Sequence, residues 1–264
     1  MTTQHSNPIV QEVINKYNTV KMMTKVFSNG QSAIKGIIIT GNAGTGKTHY
    51  VKQAFIEAKC LDRVDYVKGS SISAPALYYK LWCSRNKGQI LVLDDVDLIQ
   101  KSKAEVSQIL ELLKGATEPT DGERILSWLR ASSNALFREN EVPESFDFQG
   151  SIVWITNETQ ETLAKACGAH WNAISSRFNQ VPVWLDTNEQ LLYTLYLVEE
   201  INMLGSNCYA KKGGFKKDVI KHTAQYLRDN WKGMEEITPR VAIKIADIIE
   251  TYPNDWKIYV EYAR

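Results

Sequence analysis

The sequence predicts an α/β fold: a parallel sheet covered by helices on both faces in a three-layer αβα core, then a small all-helical domain. Three observations carry this expectation. Short apolar runs at Gly36–Thr40, Asp65–Lys68, Ile90–Leu93, Ser151–Thr156 and Val181–Trp184 read as five buried strands. Helical segments at 47–59, 74–84 and 103–114 fall between them, the alternation that a covered parallel sheet requires. After Trp184 the strands stop, and Asn188–Leu204, Phe215–Trp231, Pro239–Thr251 and Trp256–Tyr262 all read as helices.

In chain order, the first thirty residues are helical by the spacing of Ile9, Val13, Ile14 and Tyr17, and Ser28-Asn29-Gly30 ends the pattern. Ser73 is an N-cap candidate for the helix that carries Pro75 in its first turn. Residues 115–150 form an unusually long connection. Within it Asp121-Gly122 reads as a turn and Arg124–Trp128 as a short strand, so an extra hairpin is expected. Thr238 and Pro239 make a cap and first turn, and Gly205, Gly213 and Gly214 mark breaks. These signals divide the chain into residues 1–185 and 186–264.

A hydrophobic fraction of 44% with 23% charged residues lies in the globular range and excludes a disordered or collagen-like chain. No run approaches 18 apolar residues, so no membrane span is expected. The N-terminus lacks the layout of a signal peptide, and the four cysteines form no C-x-x-C pair. Together these point to a cytoplasmic protein with reduced thiols. The net charge of +1 hides an uneven distribution. Residues 1–70 hold nine Lys/Arg against four Asp/Glu, and residues 94–150 hold six against twelve. Residues 206–233 hold seven against two, mostly Lys211, Lys212, Lys216, Lys217 and Lys221. Such a run is either a solvated helix face or a local patch for phosphates.

The strongest chemical signal is Gly41-Asn42-Ala43-Gly44-Thr45-Gly46-Lys47-Thr48, directly after an apolar strand and opening a helix. It matches G-x-x-x-x-G-K-[ST] in the strand-loop-helix context that the phosphate loop needs. Glycines let backbone N–H groups approach a phosphate where a side chain would block it, and the helix adds its positive end. Lys47 would reach the β- and γ-phosphates of ATP, Thr48 would place its hydroxyl on Mg²⁺, and His49 adjoins the loop. Ile90-Leu-Val-Leu-Asp94-Asp95 is a buried strand ending in two carboxylates. Asp94 would hold Mg²⁺, an ion that favours one or two carboxylates plus phosphates. Asp95 stands where a base polarises the attacking water; the bland alternative is a pair of helix caps.

The spacing of these motifs resembles the AAA+ ATPases, over residues from about 36 to 264. That resemblance implies a P-loop NTPase core with an all-helical AAA+ lid. It implies that Asn157, at the end of Ser151-Ile-Val-Trp-Ile-Thr156, orients the water and senses the γ-phosphate, unless it only caps the next helix. Ala173-Ile-Ser-Ser176-Arg177-Phe178 is similar to the Ser-Arg box of clamp-loader-type members, which would make Arg177 a finger acting on a neighbouring subunit's ATP. Ile237-Thr-Pro-Arg240 is similar to the second sensor, with Lys244 a weaker candidate. A finger in trans requires head-to-tail contacts that close into a ring, and six subunits is what the family implies. The pair Asp94-Asp95 departs from the family's Asp-Glu, which predicts slow hydrolysis. No adenine motif precedes the loop; the helix at 9–17 or the segment near Gln31 would line that pocket.

For the cargo, the connection 115–150 lies where related ATPases present a second pore loop, with Trp128, Phe137 and Arg138 as groups that could grip a strand or peptide or pack on their own domain. The first pore-loop position, Gly69-Ser-Ser-Ile72-Ser73, lacks the aromatic residue of protein unfoldases. Several segments resemble small AAA+ ATPases of bacteriophages, implying work in a bacterial cytoplasm. Three functions are consistent with this: an oligomeric ATPase remodelling complexes on single- or double-stranded DNA, a remodeller of a partner protein, and a slow nucleotide-dependent assembly switch.

Overall fold

The computed structural model describes residues 5–69, 71–99, 101–120, 122–129, 135–206 and 208–262. Ser70 of the first pore-loop position and Asp121 of the expected turn lie outside the described residues. The chain forms two compact units. One comprises Tyr17–Gly41 with Lys47–Val183, and the other Met1–Lys16, Asn42–Gly46 and Trp184–Arg264.

In the first unit, strands β1 (Gly36–Gly41), β2 (Val64–Lys68), β3 (Ile90–Asp94), β6 (Ser151–Thr156) and β7 (Phe178–Val183) make one parallel sheet in the order β2-β3-β6-β1-β7. A separate antiparallel ribbon pairs β4 (Ile125–Ser127) with β5 (Ser145–Asp147). The three central strands are buried along their whole length, which is why they read as continuous apolar runs rather than alternating ones. The unit's helices are α2 (Lys47–Glu57), α3 (Ala74–Cys83), α4 (Lys103–Ala116), α5 (Ala135–Glu139), α6 (Gln160–Cys167) and α7 (Trp171–Arg177). Ser73, Ser102 and Thr159 cap α3, α4 and α6 by accepting a backbone N–H in the first turn. Leu77 and Leu81 of α3 and Ile109 and Leu113 of α4 join Leu91, Ile152 and Trp154 of the sheet in one core. An N-terminal helix, α1 (Pro8–Lys25), is followed by a short 3₁₀ turn that Gly30 ends with a left-handed backbone.

The last strand begins three residues before the expected Val181. Asn179 and Gln180 are half-buried and Pro182 exposed, as an edge strand permits, so the apolar run there is short. Its pairing with β1 puts Phe178 opposite Gly36, where an added Cβ would lie 2.4 Å from the Phe178 ring. The hairpin expected in 115–150 is present as the β4–β5 ribbon, but two of its aromatic groups do not project to grip a cargo. Trp128 and Phe137 pack with Tyr78 at ring separations of 5.8 and 5.4 Å. Arg138 remains exposed, as do Ile125 and Leu129.

The second unit contains α8 (Thr187–Glu199), α9 (Lys217–Asn230), α10 (Pro239–Thr251) and α11 (Trp256–Tyr262). Asp186 and Glu189 form a capping box at the start of α8. That helix stops at Glu199 rather than Leu204, because the chain turns through Asn202, at φ +56°, and Gly205. Val198, Leu227, Ile245 and Ile249 centre its core.

Arg124 organises the connection 115–150. Its buried guanidinium donates to the carbonyls of Glu118 (2.9 Å), Thr120 (3.3 Å) and Phe148 (3.4 Å) and to Gln149 Oε1 (3.2 Å). Burial pushes its pKa down. The Arg124→Ala variant removes all four bonds and leaves the buried Phe148 carbonyl without this donor, and should lose roughly 1–3 kcal/mol of stability, read by urea denaturation. A loss under about 0.5 kcal/mol, the range of surface substitutions, would contradict that role.

Candidate functional site

The loop joining β1 to α2 starts where β1 is pressed against β7. A Cβ on Gly41 would lie 2.3 Å from the Val183 carbonyl oxygen, so only glycine fits without displacing a strand. Gly44 and Gly46 adopt φ of +72° and +107°, the left-handed region that lets successive N–H groups turn inward. Thr45 donates its hydroxyl to the Asn42 carbonyl at 2.9 Å, and Asn42 Oδ1 accepts from the Leu185 N–H at 2.7 Å. Glu236 and Thr238 stand close to Gly44: an added Cβ there would lie 3.0 Å from Glu236 Oε1 and 3.1 Å from Thr238 Oγ1. Ala43 is exposed.

Beyond the loop, the sheet brings the remaining groups together. Thr40 pairs with Thr156, Asp94 with Ile155 and Lys68 with Asp94, so the carboxyl ends of β1, β2, β3 and β6 converge. Lys47 is buried and donates to the Gly41 carbonyl (2.9 Å) and to Asn157 Oδ1 (2.7 Å). The Asn157 amide donates in turn to Asp95 Oδ1 at 3.0 Å. Alongside, Thr48 donates its hydroxyl to Asp94 Oδ1 at 2.7 Å. Asp95 is exposed and holds φ +52°, with its N–H bonded to the Ile155 carbonyl. A non-glycine residue there carries a cost of order 1 kcal/mol, met most readily by Asn or Asp. The helix-cap alternatives for Asp94, Asp95 and Asn157 do not describe the molecule, since Ser102 and Thr159 are the caps that follow them.

His49 lies next to Thr48 in α2, and desolvation together with Lys21 and Lys52 pushes its imidazole pKa down. Arg177 stands apart from this cluster. Its guanidinium binds the Glu118 carboxylate through Nε (2.8 Å) and a terminal nitrogen (2.5 Å), and the Ala173 carbonyl at 2.9 Å. In the second unit Arg240 and Lys244 are exposed on α10, with Thr238 as the cap.

Two residues escaped the sequence reading. Lys68 places Nζ 3.4 Å from Asp94 Oδ2; its signal was available, because Lys68 closes the strand that pairs with β3. Glu118 lies 59 residues before Arg177, and nothing local announces the pair.

A five-stranded parallel sheet in this order, with a phosphate loop running from β1 into α2 and two aspartates at the end of β3, gives the chain a P-loop NTPase fold. No family model matches the sequence. An uncharacterized 36.7 kDa protein encoded in the nrdC–mobD intergenic region of Enterobacteria phage T4 is 30% identical over 249 residues, covering 92% of this chain and 72% of the phage protein. The chain belongs to the family of that phage protein. Among solved structures, a replication initiator DnaA bound to AMPPCP and single-stranded DNA has 15% identity and a TM-score of 0.48, covering 93% of this chain and 63% of that one. RuvB of Thermotoga maritima has 14% identity and a TM-score of 0.43, covering 95% and 65%. The chain thus spans a little under two thirds of those structures. No helix among the described residues is long and apolar enough to cross a membrane.

Gly41→Ala forces β1 and β7 apart and should cost about 1–3 kcal/mol, the range for overpacking, measured by thermal or urea unfolding. An unchanged midpoint would contradict the close approach of Gly41 to Val183.

Proposed function

We propose that this protein is an oligomeric ATPase acting in DNA transactions. The observation that carries the reading is the hydrogen-bonded chain from Gly41 through Lys47 and Asn157 to Asp95, set beside the Thr48–Asp94 pair. Backbone N–H groups of Gly41–Thr48, with the neighbouring His49, would cradle the phosphates of ATP, and Lys47 would neutralise the β- and γ-phosphate oxygens. Thr48 and Asp94 offer converging hard oxygen donors, a donor set that suits Mg²⁺ alongside phosphate oxygens and water. When bound, that ion would neutralise charge on the phosphates.

In hydrolysis, water attacks the γ-phosphorus, the bond to the β–γ bridging oxygen breaks, and ADP and phosphate leave. Asp95 accepts the water's proton and Asn157 orients that water. Arg177 and Arg240 would add positive charge where negative charge builds on the transferred group, Arg177 from a neighbouring subunit of a ring, by family expectation a hexamer. A finger of that kind is worth on the order of 10³–10⁵ in rate. Work within a bacterial host's cytoplasm accords with the phage relative.

DNA is favoured over polypeptide as the cargo by what the loops offer. Ile72, the apolar residue after β2, is buried, whereas Ser71 and Ser73 are exposed. Trp128 and Phe137 are engaged with Tyr78. A slow assembly switch is the second reading, supported by the short side chain and left-handed backbone of Asp95.

Steady-state ATP hydrolysis tests the proposal, measured with single-stranded DNA, duplex DNA or an unfolded polypeptide across protein concentration. Stimulation by DNA that weakens with salt is expected, as is partial rescue when Arg177→Ala and Lys47→Ala subunits are mixed. Stimulation by polypeptide alone would overturn the DNA assignment, and negligible turnover despite tight ATP binding would favour the switch.

A further inference from the structure

The helical unit carries a basic surface that the nucleotide chemistry does not use. Lys212, Lys216, Lys217 and Lys221 are all exposed, and none is in an ion pair among the described residues. Asp218 is the one acid between residues 206 and 228. Lys211 is different: it pairs with Glu250 and lies 4.8 Å over the Phe215 ring.

The segment that presents the lysines is pinned. Phe215 is buried and its N–H bonds the Leu204 carbonyl at 2.8 Å. Gly213 and Gly214 take φ of +84° and +72°, and a Cβ on Gly214 would lie 1.9 Å from the Gly205 oxygen. Two glycines and a buried aromatic therefore hold the backbone down while the charges point to water. Local energetics argue against this choice of residues. Lys216 and Lys217 open α9, where the helix dipole disfavours cations, and Lys216 at the cap makes no side-chain cap bond. Residues that oppose the local electrostatics without a local gain are expected where a surface serves function rather than stability. Tyr209, in the same segment, is 74% exposed.

We propose that this surface is a docking site for single-stranded nucleic acid, with Lys212, Lys216, Lys217 and Lys221 on the phosphates and Tyr209 stacked on a base. Lysines tracking a backbone beside an exposed aromatic ring are the chemistry that single strands select, since a paired base offers no free face. The proposal deepens the DNA reading above by naming where the strand is held, and it requires no nucleotide at the phosphate loop.

The test is fluorescence anisotropy of labelled single-stranded DNA, single-stranded RNA and duplex DNA across a salt series. The proteins compared are the wild type, Tyr209→Ala, and a variant with all four lysines changed to glutamine. The lysine variant should melt with the wild type, keep basal ATP hydrolysis, and bind single strands on the order of 30-fold more weakly, with a log–log salt slope shallower by about 3. Tyr209→Ala should lose about 5-fold or more on single strands and little on duplex. Unchanged affinity and slope in the lysine variant would overturn the proposal, as would equal wild-type affinity for duplex with a silent Tyr209→Ala. Lysine-dependent binding without ATP hydrolysis would remove the ATPase reading and leave this surface; hydrolysis without such binding would do the reverse.

Discussion

The buried ammonium of Lys47 is the constraint around which the site is arranged. A cation taken out of water is tolerated only where hydrogen-bond acceptors replace its hydration. Here the acceptors include the Gly41 carbonyl at the end of β1 and the Asn157 amide oxygen at the end of β6. Both are available because β1 and β6 are neighbours in register, and the pairing of β3 with the other side of β6 brings Asp95, just past the end of β3, within reach of the Asn157 amide. Strand order, glycine at position 41 and the polar residue after Thr156 are thus one requirement seen from three sides. The geometry passes from the phosphate loop to the acid that would meet water in two hydrogen bonds.

Much of this was legible in the sequence, for physical reasons that differ by element. β1, β3 and β6 are buried on both faces, so their apolar runs stand out, and the phosphate loop is a backbone motif whose glycines cannot be disguised. β7 was half legible: an edge strand tolerates Asn179, Gln180 and Pro182, which break the run. Caps at Ser73 and Thr238 followed from local chemistry. The buried role of Arg124 was hidden, because its acceptors are mostly carbonyls of a loop whose path no periodicity predicts. For the aromatic residues of the 115–150 connection the sequence left gripping a cargo and packing at home both open, since Trp128 and Phe137 find Tyr78 only after the chain has folded.

The candidate site residues divide along this line. Lys47, Thr48, Asp94, Asp95 and Asn157 are drawn together by the sheet, so their proximity is a property of one folded unit. Arg177 is held by Glu118 within its own chain. An exposed pair of this kind contributes little to stability, so that contact would be exchanged at small cost if Arg177 meets a phosphate in another subunit.

The most direct test of the account separates nucleotide binding from hydrolysis at Asp95. For Asp95→Asn, single-turnover ATP hydrolysis and the affinity for a fluorescent ATP analogue should be measured on the same preparation. Affinity within a few-fold of wild type is expected, with hydrolysis reduced by about 10²–10⁴, the usual worth of a positioned base. Hydrolysis at the wild-type rate, or loss of binding in step with loss of turnover, would contradict it.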